Sequence, residues 1–337
     1  MADALLSPAV GTTMCAISAS INVLAVNKIK REELCEKKIP IMAVLGAFVF
    51  ATQMINFAIP GTGSSGHIGG GILLAALIGA FPALLSISAV LIIQCLFFAD
   101  GGLLAIGCNI FNLGVIPCLV VYPLVFRSLV CKSTTTGRIT FATIASAVIA
   151  LQLGAFCVVL ETLFSGITSL PFATFTLLMQ PIHLAIGIVE GIVTAAILCF
   201  VYKFRPEILE STIQRATINK SIQTKWTLVI LACATLLLGG IASLFVSSAP
   251  DGLEWAIWKT TGVTELEANG KVSEVATAIQ DSTTIMPDYN FREPGEGKAG
   301  KPLAGLLGGT MTLFLAGACA YTISAIKKRG RKKQTAC

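Results

Sequence analysis

Two histidines, His67 and His183, are all that the 337-residue chain carries, and both sit where chemistry is possible. His67 stands in Ile59-Pro-Gly-Thr-Gly-Ser-Ser-Gly-His67-Ile-Gly-Gly-Gly71, a polar, glycine-dense stretch between the apolar runs 41–58 and 72–81. Glycine lets backbone approach a ligand closely, and neutral imidazole is the commonest metal ligand. An ordinary turn that happens to carry a histidine is the plainer alternative. His183 precedes Glu190 by seven residues. On a helix that spacing puts the two within about 20° of one face. Such a pair can hold a metal, relay a proton or clasp two elements together. A second acid, Glu161, falls near the end of an apolar run, where snorkelling explains it. The chain lacks GxxxxGK[ST], HExxH and GxSxG motifs. It is therefore read as no enzyme, and any energy for active work comes from elsewhere.

The elements that must position these residues are membrane spans. Hydrophobic residues make up 55% of the chain and charged residues 12%, about half the charge of a soluble domain. The fold class expected is all-α, a polytopic integral membrane protein of about nine spans, some of them short or half-buried. The cysteines are odd in number and mostly lie inside apolar runs, where they read as small hydrophobes rather than disulfide partners. The net charge of +6 reflects topology, and no nucleic-acid partner is read from it.

No lysine or arginine precedes Lys28. The stretch 9–26 is therefore expected to be a first span rather than a cleaved signal. Lys28, Lys30, Arg31, Lys37 and Lys38 follow it, which places the N-terminus outside and the first loop in the cytoplasm. The block 70–99 contains Pro82. As one helix it would be about 45 Å long, too long for a ~30 Å hydrocarbon core. Broken in two at the proline, it brings Arg127, Lys132 and Arg138, then Lys203 to Lys225, then the tail Lys327-Lys-Arg-Gly-Arg-Lys-Lys333, all to the inner side. Such short, Gly/Pro-interrupted segments point to transporter binding sites. After them come an external polar segment, 100–114, a short span, 115–126, and full spans at 139–163 and 181–200 joined by an external loop.

The first domain is expected to cover 1–206, followed by a cytoplasmic linker, 207–225, read as an amphipathic helix or a loop. A two-span unit, 226–337, carries an acidic external loop, 248–302. That loop could gather cations, although a solvated face explains most of its acids. The C-terminal tail is placed in the cytoplasm.

Several ordered stretches resemble a known family. They are Ala2-Asp3-Ala-Leu-Leu-Ser-Pro8, Gly46-Ala-Phe-Val-Phe50, Gly63-Ser-Ser-Gly-His67-Ile-Gly-Gly-Gly71, Asp100-Gly-Gly-Leu-Leu-Ala-Ile-Gly-Cys-Asn109-Ile-Phe-Asn112 and His183-Leu-Ala-Ile-Gly-Ile-Val-Glu190-Gly. Over 1–206 the chain resembles the substrate-binding component of energy-coupling-factor cobalt/nickel transporters, the CbiM/NikM family. Pro250-Asp-Gly-Leu-Glu254-Trp255, Pro287-Asp-Tyr289 and Ala304-Gly-Leu-Leu-Gly-Gly309 resemble the two-span auxiliary component of the same systems.

The resemblance implies capture of Co²⁺ or Ni²⁺ as cargo, with no permanently bound cofactor. It implies a CbiQ/NikQ-like scaffold subunit and CbiO/NikO-like cytoplasmic ATPases as partners, in the plasma membrane of a prokaryote. It implies metal ligation by the terminal amine, here Met1, by a second-position histidine and by the loop histidine, here His67. The chain departs from the pattern in reading Met1-Ala2-Asp3 without that second histidine. The expectation is a start some codons upstream, with true loss of the ligand as the alternative. A stand-alone ion-coupled carrier using His183 and Glu190 is the rival reading.

Overall fold

The computed structural model describes residues 1–31, 38–214, 224–264, 266, 268, 270–292 and 299–334. Lys37, Arg215, Lys220, Glu265, Glu267, Glu293, Glu296 and Lys298, which entered the charge pattern above, lie outside the described residues. Among the described residues, seven helices are long and apolar enough to cross a membrane. The protein is a polytopic, all-α membrane protein. Large apolar side chains such as Phe141, Leu177 and Phe200 face outward, as lipid contact demands.

The chain opens with a single 3-10 turn, Asp3–Leu5, and then α1, Pro8–Arg31. Helix α2, Lys38–Gln53, ends in a small antiparallel hairpin of β1, Phe57–Ile59, and β2, Ser64–Gly66, paired with Ala58 opposite Ser65. The polar, glycine-dense stretch before His67 thus contains one strand of a short ladder. The half-helix α3, Gly71–Ile78, is buried along its whole length. Protein encloses it instead of lipid, the setting in which broken helices are tolerated at membrane depth.

Helix α4, Ala80–Phe98, follows at once. The block 70–99 is two pieces as expected, but the break is at Gly79 and not at Pro82. Gly79 takes φ 94°, which side-chain-bearing residues avoid. Pro82 sits in the first turn of α4, where its missing N–H costs nothing.

The next rod corrects the sequence reading. Helix α5, Ile106–Ile110, a π-helical segment, Phe111–Phe126, and α6, Arg127–Val130, run together as one apolar span, Ile106–Val130. Asn109 and Asn112 therefore lie on a helix and not in an external loop, and the span is not short. Pro117 and Pro123 fall within the π-helical winding, where each lacks an N–H to donate to the preceding turn.

Helix α7, Thr136–Ser165, starts where the Thr135 hydroxyl accepts the Arg138 N–H. Helix α8, Phe172–Phe204, begins earlier than expected and carries Pro181 inside it. Gly187 and Gly191, one turn apart on α8, press against the α7 backbone. A Cβ at either would lie 3.0 or 2.8 Å from Val148 Cα or Ile144 Cα. This is the small-residue packing that membrane helices use. Helix α9, Pro206–Ile213, buries Ile208, Leu209 and Ile213 against the first part of the chain. That is the amphipathic alternative for the linker; residues 215–223 lie outside the described ones.

The remainder consists of α10, Thr224–Gly240, α11, Gly252–Thr261, α12, Lys271–Thr283, and α13, Gly300–Gln334. Asp251 and Glu254 form a reciprocal capping box at the start of α11. Helix α13 lies against α2, where Gly308 makes room for the Phe50 ring. Phe50, Phe98 and Tyr289 form a ring cluster across this seam. All described cysteines are free thiols.

Candidate metal site

Three segments remote in sequence meet around one cavity of about 120 Å³. They are the N-terminal turn, the loop after β2 and the start of α11. The π-helical segment, α7 and α8 complete its wall.

The loop is held from below. Glu190, on α8 and 4% exposed, accepts the Gly69 N–H through Oε2 and the Gly70 N–H through Oε1, each at 3.0 Å. Gln53 Nε2 donates to Gly69 O at 2.7 Å. Charge-assisted bonds of this kind are the strong ones. Glycine is needed next to Gly69 at 70, which takes φ 76° and where a Cβ would lie 2.8 Å from Val49 Cγ1. Of the three roles open to Glu190, clasping is the one its hydrogen bonds perform. The loop it fixes carries His67, whose Nδ1 is buried and has no hydrogen-bond partner.

The N-terminal turn enters from another side. The Met1 amine donates to Asn109 Oδ1 at 3.0 Å, and Gly102 N–H donates to Met1 O at 3.0 Å. Asp3 is buried and accepts the Ala105 N–H at 2.9 Å. Burial pushes its carboxyl above the usual carboxylate range, against the pull of neighbouring backbone N–H groups and the terminal ammonium. Ala2 is extended and offers no side-chain donor.

His183 and Glu190 both line the cavity, as their common face predicts. The His183 Nδ1 pairs with Met179 O at 2.8 Å, one turn back. If it donates there, Nε2 is left with the free lone pair. Glu161 is 6% exposed and accepts Asn112 Nδ2 at 2.9 Å. It does not snorkel; a donor inside the bundle holds it.

The last side comes from the second part of the chain. Pro250 O accepts the Ser65 N–H at 2.7 Å, and Ala249 O accepts the Ser65 hydroxyl at 2.8 Å. Trp255 Nε1 donates to Thr62 O at 2.9 Å, and Ser247 N–H donates to Asn56 O at 2.9 Å. This strap brings Asp251, Gly252 and Leu253 into the cavity wall.

No lysine or arginine lines the cavity, whereas Glu190 and Asp251 do. Among the described residues, no three His, Cys, Asp or Glu side chains are grouped to hold a metal by themselves. A cation here would draw on amine, amide or backbone donors as well. Sequence reasoning named His67 and Met1 as ligands and put His183 and Glu190 on one helix face without bringing the two pairs together, and it left Asn109 and Asn112 in a polar segment outside the spans. The i, i+3 spacing of the two asparagines at the edge of an apolar run was the available signal.

Comparison with known proteins agrees with this architecture. Residues 1–208 match the family model described as the cobalt uptake substrate-specific transmembrane region, and 225–325 match the PDGLE domain. A provisionally named fused nickel transport protein NikMN of Archaeoglobus fulgidus is 30% identical over 83% of this chain and 85% of its own length. The cobalt transport protein CbiM of Sorangium cellulosum is 32% identical over 51% of this chain and 76% of its own. A crystal structure of a transition metal transporter superposes with a TM-score of 0.54 at 25% identity, covering 64% of this chain and 99% of that one. With more than half its length matched, the chain belongs to the family of cobalt uptake substrate-specific transmembrane regions, joined to a PDGLE domain.

Proposed function

We propose that the chain is the substrate-capture component of an energy-coupling-factor importer for Co²⁺ or Ni²⁺, with His67 and the Met1 amine as metal ligands. The observation that carries this reading is His67 Nδ1, a buried, unpartnered ring nitrogen on a cavity free of lysine and arginine. An unpaired buried polar atom calls for an explanation, and a nitrogen-binding divalent metal supplies one. Glu190 and Asp251 offset the cost of taking a dication out of water. Ligation by the amine requires loss of its proton, so acid opposes capture.

In this reading 1–206 binds the cargo, 207–225 links, and 226–337 is the auxiliary unit. The N-terminus and the 248–302 loop face outward, and the C-terminus is cytoplasmic. A transmembrane scaffold and cytoplasmic ATPases act as partners in the plasma membrane. Titration of the purified chain with Co²⁺ and Ni²⁺ tests the core of it. His67→Ala should lower affinity by at least about a hundredfold while the helical content stays unchanged. Equal binding by parent and variant overturns the reading. Sustained uphill uptake by the chain alone in liposomes would favour the stand-alone carrier.

A further inference from the structure

Asn112 is more than nine-tenths buried, lines the cavity and is not among the ligands proposed above. Its Nδ2 donates to Glu161 Oε2 at 2.9 Å. The carboxamide nitrogen thus faces Glu161, and the carbonyl oxygen faces away from it. That oxygen, Oδ1, is buried and has no hydrogen-bond partner. One turn earlier on the same rod, Asn109 Oδ1 receives the Met1 amine. The close fit of α7 depends on Gly154, where a Cβ would lie 3.2 Å from Asn112 O. The π-helical winding begins at Phe111, and such windings recur at functional sites. The wall of one cavity thus carries two side chains with unpartnered buried atoms, His67 and Asn112.

We infer that the Asn112 carbonyl oxygen, aimed by Glu161, is an oxygen donor to the divalent metal held in the cavity. The inference rests on metal capture there, as proposed above. His67 and the Met1 amine, the ligands proposed above, are fewer than a divalent transition metal takes, and Asn112 adds to them. Glu161 touches no cargo and is a positioning residue acting through Asn112. A neutral oxygen beside nitrogens moves the site away from a planar all-nitrogen geometry and toward a mixed one.

The test is Co²⁺ titration of the purified full-length chain, with affinity and the visible absorption bands of the bound ion recorded together. Asn112→Leu removes the oxygen at similar volume and should weaken binding about tenfold and shift the bands. Asn112→Ala, which cannot overpack, should do the same. Glu161→Gln keeps an acceptor oxygen and should bind close to the parent. The Asn112→Leu/Glu161→Leu double variant should be no weaker than Asn112→Leu alone, as for any hydrogen-bonded pair; the shift of the bands is the readout that a purely structural role would not move. His67→Ala is measured in parallel. If it loses binding while both Asn112 variants keep the parent's affinity and bands, the inference falls and metal capture stands. If His67→Ala binds like the parent, metal capture falls and the inference with it.

Discussion

The cavity has an inner wall and an outer wall built on different terms. The inner wall belongs to 1–206: α7 and α8 approach to backbone contact at Gly187 and Gly191, and buried Glu190 holds the His67 loop by two charge-assisted bonds. The outer wall belongs to the second part of the chain. It is a strap, 247–255, hydrogen-bonded to the hairpin through Ser65, Thr62 and Asn56. The first arrangement comes apart only with the bundle. The second can come apart locally, at the cost of a few hydrogen bonds worth about 1 kcal/mol each. If the cavity holds metal as proposed, the inner wall should set affinity and the outer one how fast the cavity exchanges.

Breaking the inner clasp should have the largest effect. Glu190→Ala frees the Gly69 and Gly70 N–H groups and releases the loop. Metal affinity should fall about ten- to a hundredfold. Glu190→Gln retains one acceptor and should recover part of the loss. The measurement is equilibrium titration with Co²⁺ or Ni²⁺, and an unchanged affinity in Glu190→Ala would remove the inner wall from any role in ligand placement.

The strap should respond in rate before it responds in equilibrium. Ser65→Ala deletes the hydroxyl bond to Ala249 O and leaves the backbone bond to Pro250 O in place. Loss of about 1 kcal/mol should speed metal release about fivefold, with a smaller change in affinity. Stopped-flow release into a chelator reads this directly. Release slower than the parent's would contradict the division between the walls.

Asp251 offers a finer probe, since the residue lines the cavity and its carboxylate caps α11. Asp251→Asn keeps a capping oxygen and removes a charge. Metal association should slow a few-fold at low salt, and the difference should shrink as ionic strength rises. A salt-independent difference would point to lost structure rather than lost charge.

The two walls were also unequally legible in the sequence. Mean composition and run lengths were enough for an all-α membrane protein, though not for the bounds of the span Ile106–Val130 or of α8, and the glycine-dense loop around His67 stood out against them. The seven-residue spacing of His183 and Glu190 placed both on the cavity face. The strap was hidden because it is made by backbone carbonyls of Ala249 and Pro250, some 184 residues from Ser65 in the chain, and backbone acceptors leave no trace in residue type. The sequence set the two-span unit, 226–337, apart from the first domain; Asp251, Gly252 and Leu253 of that unit stand in the cavity wall. Glu161 was misjudged for a related reason. Snorkelling is the default for an acid near a helix end, and the donor that keeps it inside, Asn112, had been assigned to a loop. The break at Gly79 was misplaced to Pro82 because proline is the louder signal, although in a first turn it breaks nothing.

The smallest effect on the cavity should come from the seam farther along, where the second part meets α2 and α4 through Phe50, Phe98 and Tyr289. The Tyr289 hydroxyl donates to Asp100 Oδ2 at 2.5 Å. Burial, then the nearby Asp100 charge, pushes the phenol well above its usual range. A group whose folded value is raised contributes stability that is complete below its unfolded value, about 10, and is lost only as pH climbs through the folded one. Between pH 6 and 9, roughly, the phenol therefore stays a donor, and its contribution is flat. Tyr289→Phe deletes this bond, while Asp100, at the surface, regains water. The expected cost is about 1 kcal/mol, seen as a lower melting temperature in detergent and equal at both ends of that pH range. Metal affinity and release rate should match the parent, because neither Tyr289 nor Asp100 lines the cavity. If Tyr289→Phe sped release as much as Ser65→Ala, the second part would move as one body and the strap would lose its separate role.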